Sequence, residues 1–155
     1  MPLPPDIISV SLFLCERTLQ ESNGILSAIR ILDIFWVPGV PAEASNEKEK
    51  VPVIQMFGCA LIKGKPGRHD HSIEFRVQNE GSDKFDNIGS PVILPVAQIP
   101  PGLEKFPAGG SINIELHVAV KTYGTSYLCL FLDGEEATRT PFTILPPQEP
   151  SKPVD

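Results

Sequence analysis

The sequence predicts an all-β fold, an antiparallel β-sandwich of about eight strands. Apolar residues recur mostly at every second position, which is the period of a half-buried strand. Seventeen prolines and twelve glycines divide the chain into short segments separated by turns. Strands do not alternate with helical segments, so crossover helices on a parallel sheet are not expected. Short strands at this spacing are typical of immunoglobulin-like or C2-like sandwiches.

The clearest strand is Ser111–Lys121, in which every second side chain is apolar. His71–Gln78 alternates in the same way, with apolar residues at the odd positions after His71. Asp133-Gly134 is a strong hairpin signal, because both residues tolerate the positive φ that a two-residue turn needs. Further strands are predicted at Ile7–Cys15, Val53–Lys63, Tyr127–Leu132 and Thr138–Leu145.

Two segments have a less regular pattern. Ile25–Val37 contains five β-branched residues, which favour a strand, although part of it also fits the apolar stripe of a helix. We interpret it as one strand that can carry a bulge. Val92–Val96 is a short strand, and Pro95 places it at a sheet edge because proline donates no ladder hydrogen bond.

The remaining segments predict loops and a tail. Pro38–Pro52 and Asn79–Gly89 are polar and lack periodicity, and Gly109-Gly110 borders a further loop. These assignments give a single domain over residues 1–146. Residues 147–155 are Pro-rich and polar, so we expect an extended, disordered tail.

Composition limits the classes of partner. The chain has 155 residues and a net charge of −6, and its 13 lysines and arginines are scattered. Nucleic-acid binders gather such residues to neutralise phosphates, so a nucleic-acid partner is not expected. No apolar run approaches the about 18 residues of a membrane span, and no secretory signal is visible. We therefore expect a cytoplasmic protein with no membrane partner, and with Cys15, Cys59 and Cys129 as buried free thiols.

Three stretches carry a resemblance to a known group of proteins. They are LFLCERTLQESNGILSAIRILDIFWV near the start, GRHDHSIEFRVQNEGSD in the middle and YGTSYLCLFLDGEEATRTPFTIL at the end. Together they resemble small single-domain bacterial proteins that form a domain-of-unknown-function family. The shared features are a Cys followed by an acidic residue, a Gly-x-x-Tyr strand, an Asp-Gly turn and an Arg-x-Pro-Phe strand. The resemblance implies a β-sandwich and implies no activity.

Two clusters are candidate metal sites. His69 and His71 flank Asp70, and imidazole and carboxylate groups are common metal ligands. No third ligand lies nearby in sequence, since His117 is distant, and a solvated turn explains the triplet better. The second cluster is the oxygen-rich loop 79–87, where Lys84 would oppose a cation and turn chemistry is the simpler explanation. Its candidate ligands are Asn79, Glu80, Asp83, Asp86 and Asn87. We expect no bound metal and no cofactor.

Catalytic motifs are lacking in the sequence. There is no Gly-x-Ser-x-Gly elbow, phosphate-binding loop or dinucleotide fingerprint. Cys15 precedes Glu16, whose charge disfavours a thiolate, and Cys59 and Cys129 lie in the middle of strands. We therefore predict that the chain is not an enzyme and has no catalytic residues. A small-ligand site would need an exposed aromatic side chain, and Trp36 is the one candidate, although its apolar neighbours favour the core.

The most informative feature is strands that are apolar on both faces. In Tyr127–Leu132 both faces are apolar, and Ile7–Cys15 carries Phe13 and Cys15 on its second face. A sandwich normally presents a polar outer face, so something covers these side chains. The cover is either the chain itself, by residues 79–110, or a partner protein or second copy. The leading hypothesis is a non-enzymatic cytoplasmic binding or assembly module, and the alternative is a metal-dependent enzyme or metal-binding protein that uses His69, His71 and loop 79–87.

Overall fold

The computed structural model describes residues 3–20, 26–40, 51–66, 69–94 and 101–148. These residues form nine strands and contain no helix, which confirms the all-β prediction. The strands are β1 (Ile7–Gln20), β2 (Leu26–Ile31), β3 (Ile34–Trp36), β4 (Val53–Gly64), β5 (His71–Asn79), β6 (Phe85–Leu94), β7 (Ala108–Ala119), β8 (Gly124–Leu132) and β9 (Glu135–Leu145). The turn predicted at residues 21–24, most of loop 38–52 and residues 149–155 of the tail lie outside the described residues.

The strands form two sheets. Sheet A has the order β2-β1-β4-β7, and sheet B has the order β3-β9-β8-β5-β6. Every neighbouring pair is antiparallel except β3 and β9, which are parallel. The expectation of purely antiparallel pairing is therefore wrong for sheet B. β3 ends at Trp36 and β9 begins only at Glu135, so no tight hairpin joins these two strands and forces them to be antiparallel.

A single apolar core lies between the sheets. Leu14, Met56 and Leu116 of sheet A belong to the same buried cluster as Phe75, Leu130 and Phe142 of sheet B. β5 alternates between buried and half-buried residues along its length, as its sequence predicts. A large shared core of this kind supplies most of the free energy that stabilises a domain of this size.

The predicted strand Ile25–Val37 is broken in two. β2 belongs to sheet A and β3 to sheet B, and the chain crosses between the sheets at Leu32 and Asp33. The Leu32 amide donates to Leu14 of sheet A at 2.9 Å, and the Asp33 carbonyl accepts from Thr143 of sheet B at 2.7 Å. The crossing therefore closes one side of the fold by backbone hydrogen bonds to both sheets.

The predicted loop Asn79–Gly89 is wrong over its second half. β6 begins at Phe85 and pairs with β5 at the edge of sheet B, with a register irregularity opposite Ile73–Phe75. Gly89 has a φ of 73°, a conformation that glycine adopts without strain, and it interrupts the regular alternation there. The edge position expected for the Val92 segment is confirmed, although β6 ends at Leu94 and Pro95 lies outside the described residues.

The β1–β2 hairpin curls over the outer surface of sheet A, the side that faces away from the core. β1 pairs with β4 only as far as Cys15, but it pairs with β2 as far as Gln20. The Asn113 side-chain amide on β7 donates a hydrogen bond to the Thr18 hydroxyl, although β4 lies between β1 and β7 in the sheet. Residues 16–20 of β1 and their partners in β2, which we call the hairpin arm, therefore fold back across β4.

Candidate functional site

The structure separates the two histidines that the sequence offered as metal ligands. His69 is exposed, whereas His71 at the start of β5 is only 4% exposed. The His71 ring lies between two carboxylates, with Nδ1 2.6 Å from Asp133 Oδ2 and Nε2 3.1 Å from Asp6 Oδ2. We call these three residues the His71 cluster. Neither aspartate was among the sequence candidates.

Backbone hydrogen bonds fix both aspartates. Asp6 lies just before β1, and its Oδ2 also accepts the His69 amide at 2.9 Å. Asp133 opens the turn between β8 and β9, and its Oδ1 accepts the Ser72 amide at 2.9 Å. Asp133 has a φ of 51° and Gly134 a φ of 86°, so the predicted Asp-Gly turn has positive φ at both positions. This turn geometry places the Asp133 carboxylate beside the first residues of β5.

The cluster favours a charged imidazole between two ionised carboxylates. Burial lowers the pKa of His71, but the hydrogen bonds to Asp133 and Asp6 raise it more, so its pKa lies above the ordinary value of 6.5. The backbone hydrogen bond from His69, followed by the contact with His71, holds the pKa of Asp6 below 3.8. The hydrogen bond from His71 does the same for the pKa of Asp133. Opposite charges at these distances stabilise one another.

An open pocket of about 440 Å³ adjoins the cluster. Asp6, His71 and Asp133 line it together with Asp70 and Lys65. Its remaining walls are largely proline, from Pro4, Pro5 and Pro66. The His71 ring contributes little free surface, because both of its nitrogens already contact carboxylate oxygens. A histidine held in this way has no free nitrogen lone pair to act as a general base or to bind a metal.

The described residues contain no group of three or more His, Cys, Asp or Glu side chains arranged to hold a metal ion. His117, the third histidine, lies on the exposed surface of β7, where its Nε2 is 2.8 Å from Glu115 Oε1. It belongs to sheet A, whereas His71 belongs to sheet B. The structure therefore does not bring the three imidazoles together.

The oxygen-rich loop 79–87 is spread over several separate contacts. Asn79 Oδ1 accepts a hydrogen bond from Ser126 at 2.9 Å, which ties it to β8. Asp86 pairs with Lys121 at 2.8 Å across the gap between β6 and the end of β7. Asp83 and Asn87 are exposed. These oxygens do not converge on one point, and the Asp86–Lys121 pair is an exposed ion pair between the two sheet edges.

All three cysteines are free and fully buried, as the sequence predicts. They lie on the outer sides of the sheets rather than in the shared core. Cys15 Sγ is 3.6 Å from Cys59 Sγ beneath the hairpin arm. Burial, together with the contact with Cys15, raises the pKa of Cys59 to about 12. Burial and the charge of Glu136 raise the pKa of Cys129 to about 11, so both thiols stay protonated and unreactive.

The outer side of β8 is covered from within sheet B. Phe131 is 6% exposed, because the Arg76 guanidinium stacks 4.0 Å from its ring centroid and Phe85 packs edge-on at 5.4 Å. Arg139 lies over Tyr127 in the same way, at 5.4 Å. The cover comes from long side chains of neighbouring strands. The sequence suggested that residues 79–110 cover the apolar outer faces of the strands, and Phe85 from this segment does contribute to the cover of β8.

The outer surface of sheet A is different, because large apolar side chains remain exposed on it. On the central strand β4, Val53 is 59% and Leu61 is 46% exposed, and Phe57 between them is half-buried. Cys15 of β1 pairs with Ile31 of β2 on one side and with Phe57 of β4 on the other, so the three residues form one row across the sheet. Ile31 in this row is 71% exposed. The hairpin arm covers Cys15 and Cys59 but leaves these side chains free. The continuous apolar run Ile54–Ile62, broken only by Gln55 and Gly58, was the available sequence signal.

No family model matches the chain, and no curated protein matches it either. The resemblance to a bacterial domain-of-unknown-function family therefore stays a prediction. Among the described residues, no helix is long and apolar enough to cross a membrane. The features that bear on function are thus the outer surface of sheet A and the His71 cluster.

Proposed function

We propose that this chain is a non-enzymatic binding and assembly module that pairs with a second copy of itself through the outer surface of sheet A. In this proposal the two sheets form an immunoglobulin-like or C2-like sandwich that works in the cytoplasm. Nucleic acid and membranes are not among its partners, and it carries no cofactor. The acidic net charge and the scattered basic residues support the exclusion of nucleic acid.

The observation that carries the proposal is the apolar outer row of β4. β4 lies between β1 and β7, and the outward side of such a strand is expected to be polar when it faces water. Here Val53 and Leu61 are exposed on that side and Phe57 is half-exposed. By contrast, the apolar residues on the outer side of β8 are covered by arginines. Exposed apolar side chains gathered on one surface are typical of interaction sites.

The charges on this surface favour a second copy as the occupant. Lys63 is exposed at one end of β4, beyond Leu61, and Glu115 of β7 lies beside Phe57, nearer the Val53 end. When two copies stack with their β4 strands antiparallel, each Lys63 lies over the half of the partner's β4 that borders Glu115. A two-fold interface of this kind needs a surface that is complementary to itself.

The size of the surface supports a weak dimer. β4 has 12 residues, all paired with β7, so the sheet is about 40 Å long and, across four strands, up to about 19 Å wide. Even with the part under the hairpin arm included, this area only approaches the about 800 Å² per partner of a standard interface. The apolar contacts are few and the hairpin arm takes part of the area, so we expect a concentration-dependent equilibrium rather than an obligate dimer.

Sedimentation velocity over a range of concentrations tests the proposal. The expected result is a monomer–dimer equilibrium in the wild type that Leu61→Asp abolishes. Leu103→Asp is the matched control, because Leu103 is 47% exposed against 46% for Leu61 and lies outside both sheets. Dimerisation that survives Leu61→Asp, or is lost equally in Leu103→Asp, contradicts the proposal. A wild type that stays monomeric at all concentrations also overturns it, and capture of a different protein by this surface would then name another occupant.

A further inference from the structure

The His71 cluster joins three parts of the chain that are distant in sequence. Asp6 belongs to the N-terminal segment, residues 3–6, His71 begins β5, and Asp133 begins the β8–β9 turn. Leu3 packs against the core, and Pro4 and Pro5 form a wall of the pocket next to His71. The N-terminal segment therefore caps one end of the core, and the Asp6 side chain fixes it to β5.

Each of the two contacts of the His71 ring needs a proton on the ring nitrogen that makes it. An ionised carboxylate only accepts hydrogen bonds, so Nδ1 and Nε2 must both donate, and that requires the imidazolium form. A neutral imidazole carries one N–H and presents a lone pair to the other carboxylate. The Asp133 contact, at 2.6 Å, is the shorter of the two, and the Asp6 contact is 3.1 Å. Loss of a proton therefore breaks the contact with Asp6 first.

Other charged groups also border the ring. Asp70, Lys65 and His69 share the pocket with His71, Asp6 and Asp133. With a neutral His71, the carboxylates of Asp6 and Asp133 face one another across an uncharged ring. Like charges in this arrangement repel, which adds to the effect of the lost hydrogen bond.

We propose that His71 is a protonation-controlled latch that holds the N-terminal segment in place when charged and releases it when neutral. Release moves Leu3, Pro4 and Pro5 away from the end of the core and widens the pocket that they border. Two hydrogen bonds to Asp6 do not depend on the His71 proton, since the Lys65 amide donates to its carbonyl at 2.7 Å and the His69 amide donates to its Oδ2 at 2.9 Å. The chain therefore stays anchored at Asp6, and the movement is confined to the residues before it. This latch is independent of the pairing of two copies through sheet A.

Two reporters test the latch in the intact protein by NMR. The His71 ring resonances follow its protonation, and the protection of the Ile7 amide follows the segment, because this amide donates to Pro4 at 2.9 Å. We expect the protection factor of Ile7 to fall as the pH rises, with the same midpoint as the His71 ring. Asp6→Asn keeps an oxygen acceptor but removes the charge, so both midpoints should shift to lower pH together.

Glu115→Gln is the matched control, because it removes a carboxylate that contacts the exposed His117 on the other sheet. It should leave the Ile7 midpoint unchanged. The proposal is overturned when Ile7 protection stays constant through the titration of His71, or when Asp6→Asn shifts the ring midpoint and not the Ile7 midpoint. The comparison of Ile7 protection with the His71 titration needs only the wild-type protein, so it holds even if a variant does not fold.

Discussion

Gly58 on β4 faces Leu128 on β8 across the core, and it leaves no room for a side chain. A Cβ at position 58 would lie 3.3 Å from a Leu128 methyl and 2.9 Å from a Leu116 methyl. Gly58 therefore lies where β4 comes close both to Leu128 of sheet B and to Leu116 of its neighbour β7 in sheet A. Glycine inside a strand often marks such an approach, although in the sequence it only weakens the strand signal.

Gly58→Ala should destabilise the protein by about 1–3 kcal/mol, because the added methyl group overpacks the core against two fully buried leucines. Urea denaturation followed by fluorescence measures the change. Gly109→Ala is the control, since a Cβ there meets only a backbone oxygen at 3.7 Å, an ordinary contact. Equal stability of the two variants would contradict the tight approach of the sheets at Gly58.

The His71 cluster predicts that the free energy of unfolding falls both above and below an intermediate range of pH. The raised pKa of His71 gives stability that is complete below pH 6.5 and is lost as the pH rises through its folded pKa. The lowered pKa values of Asp6 and Asp133 give stability that is present above pH 3.8 and is lost as the pH falls through their folded values. The free energy of unfolding should therefore be greatest between these limits.

Denaturant titrations from acid to alkaline pH check this window. His71→Gln should remove the alkaline decline, because no titrating group remains between the two carboxylates. His117→Gln, on the exposed surface of β7, should retain it. An alkaline decline that persists in His71→Gln would show that another group causes it.

The thiols should be unreactive in the folded protein. Burial, together with the contact with Cys15, raises the pKa of Cys59 to about 12, and burial raises the pKa of Cys129 to about 11. Cys15 is itself fully buried. Because the thiolate is the reactive species, a disulfide reagent at pH 8 should modify none of them until the protein unfolds. Addition of guanidinium should release three equivalents. Rapid reaction of any equivalent without denaturant would contradict the burial of the three thiols.

Arg76→Ala should cost about 1–2 kcal/mol of stability, since it removes both the stacking on Phe131 and the aliphatic cover of β8. Arg30→Ala is a matched control, because Arg30 also forms an ion pair, with Glu16, but both side chains are more than half exposed. Such a pair contributes about 0–1 kcal/mol. Arg76 Nη2 lies 2.7 Å from Glu74 Oε2 in an ion pair. Thermal unfolding distinguishes the two variants, and an equal loss would mean that Arg76 acts only through this ion pair.

The alternation of apolar and polar residues along the chain was sufficient to predict most of the strands. In β5 and β7 the burial of each residue follows the two-residue period that the sequence displays. The Asp133-Gly134 turn was also predictable, because positive φ at both positions restricts the residue types. β6 was partly missed, since an edge strand with polar residues at 86 and 87 has the composition of a loop.

Long-range pairing could not be predicted in the same way. The division of Ile25–Val37 between two sheets depends on hydrogen bonds to Leu14 and Thr143, which leave no trace in the local pattern. Asp6 and Asp133 were missed as partners of His71 for the same reason, because they are 65 and 62 residues away. The triplet His69-Asp70-His71 suggested proximity to a shared ligand, but β5 begins only at His71, so the strand buries His71 while His69, which precedes it, stays exposed.

Methyl NMR at increasing protein concentration tests the central claim most directly. Pairing of two copies through sheet A predicts concentration-dependent shifts of the Val53, Leu61 and Ile31 methyl groups, with the Leu103 methyl groups unchanged. Shifts that appear at Leu103 instead, or spectra that are identical at all concentrations, would contradict it.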